Sequence, residues 1–83
     1  MQYLIVIHKS AESTYGVTVP DLPGCFSAGE SIEEAIKMAK EAIQSHIDML
    51  LADGDSIPAI QDISAHWANP DYADGIFARA SVK

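Results

Sequence analysis

One amphipathic segment constrains this chain more than any other. Ser31 stands three residues before Glu34, the spacing at which a serine hydroxyl and a glutamate carboxylate satisfy each other's backbone N–H groups at a helix start. Ile32, Ile36, Ala39, Ile43, Ile47 and Leu50 then recur at steps of four and three. At roughly 100° per residue all six fall on one stripe. Glu33, Glu34, Lys37, Lys40, Glu41, Gln44 and Asp48 fall on the opposite face. Gly54 supplies a C-terminal stop, followed by Asp55, Ser56 and Pro58, residues that do not continue a helix. Ser31 to Asp53 is therefore predicted as one helix, about 33 Å long. A helix with a single apolar stripe must bury that stripe on another layer.

The flanking sequence offers strands for that layer. Gln2 to His8 reads QYLIVIH, with Tyr3, Ile5 and Ile7 pointing one way and Leu4 and Val6 the other. Both faces are apolar, which predicts a strand covered at least partly on each side. Lys9 to Ser13 is polar and small, a hairpin connection. Thr14 to Val19 alternates, Tyr15, Val17 and Val19 against Gly16 and Thr18, and Pro20 ends the run by removing a ladder donor. Asp21-Leu22-Pro23-Gly24 is turn chemistry, and Cys25 to Ala28 is a short third strand. Residues 59–74 form a loop wrapping back, anchored by Trp67 or Tyr72. Gly75 onward, GIFARASVK, sets Ile76, Ala78, Ala80 and Val82 against Phe77, Arg79 and Ser81, a final strand.

The expected fold class is α+β: a small antiparallel sheet of order β-β-β-α-β with one long helix packed across it. Its second face needs a cover as well, and Leu4, Val6 and Phe77 are expected to offer an apolar surface for another subunit or a partner.

Composition narrows the function. Eighty-three residues allow one domain with one modest core. Tyr3 to Ile7, the longest apolar run of the first strand, is too short to span a bilayer, and no signal-peptide pattern precedes it. A soluble chain that stays where it is made is expected. Cys25 is the only cysteine, so an internal disulfide and a Cys-rich zinc site are excluded, and a lone thiol fits a reducing cytoplasm. The net charge is −7, which repels phosphate backbones and attracts basic proteins. The same acidity could serve solubility alone.

No catalytic or cofactor signature is present: no phosphate-binding glycine loop, no paired-histidine metal motif, no nucleophile elbow. No cofactor and no metal are expected. His8, His46 and His66 lie on three elements at no ligand spacing and read as structural or surface residues. Asp21, Asp71 and Asp74 could be imagined as a carboxylate cluster holding a divalent metal, but turn formation explains each. Cys25 reads as a packed thiol with no activating base or cation beside it.

The stretch Tyr15 to Ala35, YGVTVPDLPGCFSAGESIEEA, resembles the N-terminal domain of the HicB family of antitoxins. The shared pattern is a strand, Pro20-Asp21-Leu22-Pro23-Gly24-Cys25, a short strand, then Gly29-Glu30-Ser31 and Glu33-Glu34-Ala35 opening the long helix. Leu51, Asp53-Gly54 and Ile57-Pro58 fit the family's helix exit. The resemblance is clear over residues 3–58 and thin afterwards. It implies a partial RNase-H-like domain that binds and neutralises a small basic toxin of HicA type, an mRNA interferase of double-stranded-RNA-binding fold that cleaves with a histidine. The Pro20–Cys25 motif is read as architectural. Many members carry a C-terminal DNA-binding domain. This chain ends at Lys83 without room for one, so residues 1–83 are read as a single HicB-like domain that does not bind nucleic acid alone.

The resulting expectation is a cytoplasmic, non-enzymatic antitoxin that occludes a basic RNase and self-associates as a homodimer or larger homo-oligomer. Glu33, Glu34, Glu41 and Asp48 are its candidate partner contacts, though a solvated helix face accounts for them too. The alternatives are an orphan self-associating module and a metal-dependent RNase-H-like nuclease.

Overall fold

The computed structural model describes residues 1–9 and 14–82, the Trp67 side chain excepted. Strand β1 (Gln2–Lys9) is central, pairing with β2 (Tyr15–Thr18) on one side and β4 (Ile76–Ser81) on the other, and β3 (Phe26–Gly29) pairs with β2. The sheet order is β3-β2-β1-β4, antiparallel throughout. At the corner of the β1–β4 ladder Met1 meets Val82. The Met1 amino group donates to the Val82 carbonyl and the Val82 N–H to the Met1 carbonyl, both at 2.8 Å.

The helix α1 (Ile32–Ala52) forms where the capping pattern places it. The Glu34 N–H donates to Ser31 Oγ, and the Glu34 carboxylate accepts from the Glu30 N–H, each at 3.1 Å. Beyond its end the Gly54 N–H bonds the Leu51 carbonyl and the Asp55 N–H bonds that of Leu50, the paired closure of a Schellman turn. Acids occupy the first turn, Glu33 and Glu34, but no basic residue occupies the last.

The buried stripe differs from the one expected. Ala35, Ala39, Ile43 and Ile47 are buried, whereas Ile32 is 39% exposed and Leu50 only half-buried. The cause is close approach: a side chain at Gly29 would collide with the backbone of Ala35. Only small residues fit where the helix starts against β3, so alanine takes the contact and Ile32 overhangs. Facing the helix lie Tyr3, Ile5, Ile7, Val17, Val19, Leu22, Cys25 and Ala80, one continuous core.

On the second face, the expectation of an apolar surface awaiting another chain is corrected. Leu4 and Val6 are buried within this chain. The 58–75 segment folds over them through a short helix α2 (Ser64–Trp67) and a 3₁₀ turn, Pro70–Tyr72. Of the two expected anchors, Tyr72 holds this segment. Its ring stands 6.4 Å from His8, 6.4 Å from His66 and 6.5 Å, edge to face, from Phe77. The contact is close enough that a side chain at Gly75 would strike Val6. The expectation about the Trp67 side chain lies outside the described residues.

Candidate partner-binding site

The Pro20–Cys25 motif folds inward rather than out. The Leu22 N–H bonds the Val19 carbonyl at 3.1 Å, the Cys25 N–H that of Leu22 at 3.0 Å, and the Val19 N–H that of Cys25 at 3.3 Å. Gly24 takes φ 84°, a backbone state that side chains disfavour. The loop drives Leu22 and Cys25 into the core. Burial pushes the Cys25 thiol above its ordinary value, the opposite of nucleophilic activation.

Asp21 does more than shape this turn. Asp21 lies close enough to Tyr3 for its charge to act on the Tyr3 hydroxyl. Its carboxylate is buried, and its Oδ1 lies 2.8 Å from His66 Nε2. Among the described residues the buried Asp21 Oδ2 and Tyr3 hydroxyl have no hydrogen-bond partner. Burial, and secondarily the Asp21 charge, raises the Tyr3 hydroxyl above its ordinary value. The Asp21–His66 pair joins the motif turn to the 58–75 segment across 45 residues of sequence, a link that no local pattern announces. Asp21 therefore does not join Asp71 and Asp74, both exposed. Among the described residues no group of three or more His, Cys, Asp or Glu is placed to hold a metal ion.

The four candidate contact acids are all exposed on α1. Glu34 is engaged in the cap, and Asp48 Oδ1 accepts from Gln44 Nε2 at 3.1 Å. The larger electrostatic fact lies beyond those four. Between Lys40 and Arg79 stand seven acids (Glu41, Asp48, Asp53, Asp55, Asp62, Asp71, Asp74) and no Lys or Arg, while the other five acids and five bases cancel. The whole net charge of −7 thus belongs to residues 41–78. Counting charges along the chain, instead of summing them, would have found it.

A concavity lies beside the α1 part of that stretch. Gly24, Cys25 and Phe26 on one side, and Ala42, Ser45, His46 and Met49 of α1 on the other, line a groove of about 220 Å³. Its rim is apolar: Phe26 is 67% exposed and Met49 53%. Phe26 also opens β3, an edge strand of the sheet.

Fold and groove describe an acidic α+β domain carrying an apolar seat beside its one long helix. A family model described as the HicB-like antitoxin of bacterial toxin–antitoxin systems matches residues 3–83, and the chain belongs to that family. It is similar to an uncharacterised 14.9 kDa protein from the rep–hol intergenic region of Haemophilus phage HP1, 45% identical over 99% of this chain and 61% of the relative. The chain thus spans about three fifths of that relative's length. The N-terminal domain of the Burkholderia pseudomallei antitoxin HicB superposes with a TM-score of 0.86 at 39% identity, covering 100% of this chain and 99% of that one. A chain of the HicA3–HicB3 toxin–antitoxin complex superposes with a TM-score of 0.84 at 30% identity, with 100% and 99% covered. Among the described residues no helix is long and apolar enough to cross a membrane.

Proposed function

We propose that this chain is a non-enzymatic antitoxin module, residues 1–83 forming one domain that binds and neutralises a small basic toxin of HicA type in the cytoplasm. The observation that carries the reading is full-length structural agreement with a chain from the HicA3–HicB3 complex. Physical support comes from the acidic stretch 41–78, which speeds encounter with a basic protein and repels a phosphate backbone. Neutralisation on this reading is occlusion: the domain covers the toxin's RNA-binding surface and contributes no reacting group. Glu41 and Asp48, on the acidic half of α1, are the better placed of the candidate contacts, and Glu33 and Glu34 serve the helix start.

The test is co-expression with the short basic reading frame beside the gene. The neighbour alone should arrest growth, and this chain should restore it and co-purify. A harmless neighbour that does not co-purify sinks the reading.

A second reading, a self-associating module without a toxin, draws on one observation, the edge strand β3 with its exposed Phe26. Sedimentation of the purified chain tests it: a concentration-independent monomer removes it.

A further inference from the structure

We infer that the groove between the C-terminal half of α1 and the Pro20–Cys25 turn seats one apolar side chain of the basic toxin, and that Glu41, Asp48 and Asp53 around the C-terminal half of α1 bring that partner there. This inference rests on the antitoxin reading and assigns it a surface. A volume of about 220 Å³ lies below the roughly 300–1,000 Å³ of sites that enclose whole small molecules. It suits a single large anchor side chain, the unit in which interfaces concentrate their affinity. The walls are mostly apolar, with Ser45 and His46 the polar side chains among the lining residues, so a polar metabolite finds few groups to recognise it. Met49 at the rim is unbranched and flexible, a side chain that moulds itself to an incoming apolar group.

Charge selects the occupant. Counting along α1, Glu41 lies four residues before Ser45, Asp48 three after it, and Asp53 four after Met49, so all three are helix-surface neighbours of groove residues. The last turn of α1 has no basic residue, and Asp53 and Asp55 stand at the helix's negative end. Acids there oppose the helix dipole and weaken the helix. The arrangement sacrifices stability for a strongly negative potential beside an apolar seat. A second copy of this chain would bring the same acids against them, a like-charge contact that costs affinity. A basic protein gains on both counts.

The experiment uses the full chain and the purified product of the adjacent basic reading frame, with binding measured by calorimetry and stopped flow. Met49→Ala removes the rim, and Ser45→Trp fills the groove from an exposed position. Leu51→Ala is the control, since Leu51 is 59% exposed on α1 and about 200° round the helix from Met49. Each variant's thermal transition is checked first. Met49→Ala and Ser45→Trp should each weaken binding about tenfold or more, and Leu51→Ala less than about twofold. Glu41→Lys with Asp53→Lys should slow association about tenfold at low salt, a difference that vanishes in high salt. If wild type binds and the two groove variants match it, or Leu51→Ala loses as much, the groove assignment is wrong while the antitoxin reading stands. If no adjacent frame encodes a basic protein, or its product does not bind wild type, both fall.

Discussion

The two faces of the sheet are covered by opposite means. On one, a capped 21-residue helix lays Ala35, Ala39, Ile43 and Ile47 over Tyr3, Ile5, Ile7 and Val17 in a single core. On the other, Leu4 and Val6 are covered by a segment of short turns, held by rings around Tyr72 and by one His66–Asp21 pair. The first cover is stabilised by continuous apolar area, the second by a few directed contacts. Such a difference sets a gradient of local stability, in which the second cover opens before the first.

Breaking the comparison begins with the largest expected loss. Ile43→Ala, at the centre of the helix face, should cost about 3 kcal/mol, within the range for buried Ile truncation, and lower the urea midpoint of the whole domain. Loss of only part of the transition would show that the helix face is not the global core. His66→Ala comes next. It leaves the buried Asp21 Oδ1 without its partner, and about 2–3 kcal/mol of destabilisation is expected. Adding Asp21→Asn should recover part of it, and no recovery in the double-mutant cycle would mean the pair is not coupled.

Tyr72→Ala sharpens the comparison. It should cost about 1–2 kcal/mol and raise amide exchange in residues 58–75 while leaving α1 protected. Equal loss of protection in both would erase the difference between the covers. The smallest effect is at Tyr3, whose buried hydroxyl has no partner among the described residues. Tyr3→Phe should be neutral or stabilising by up to about 1 kcal/mol at pH 7. Since folding holds this hydroxyl above its ordinary 10.0, the unfolded chain ionises first. The Tyr3 contribution is therefore intact below about pH 10 and lost as pH rises through that value toward the folded one. Stability of Tyr3→Phe against pH should fall less steeply there; an unchanged alkaline limb would contradict it.

Much of the first face was legible in the sequence, because its signals are local. Ser31 and Glu34 fix the helix start three residues apart, and strand alternation in Tyr15–Val19 survives translation into burial. The β1–β2–β3–α1–β4 order follows the reading directly. What local pattern could not supply was depth. Ile32 seemed a core residue on periodicity alone, and only the Gly29–Ala35 contact shows why alanine displaces it. The second face was illegible for a related reason. Its cover is made of a four-residue helix and a three-residue turn, too short for any periodic signal, and its binding pair is separated by 45 residues. The same holds for the groove, whose walls come from a turn and a helix and meet only in the fold.

The meeting of Met1 with Val82 has a mechanical consequence. Strands β1 and β4 run antiparallel with Gln2 opposite Ser81, so a pull applied at Met1 and Val82 enters the sheet at one corner. Ladder bonds lie perpendicular to the strands, and a load in that geometry meets them singly, as in a zipper, instead of sharing itself among all in shear. A force probe attached at Met1 and Val82 should peel β4 from Val82 inward at low force, carrying off the second cover and leaving the helix and its three strands for later.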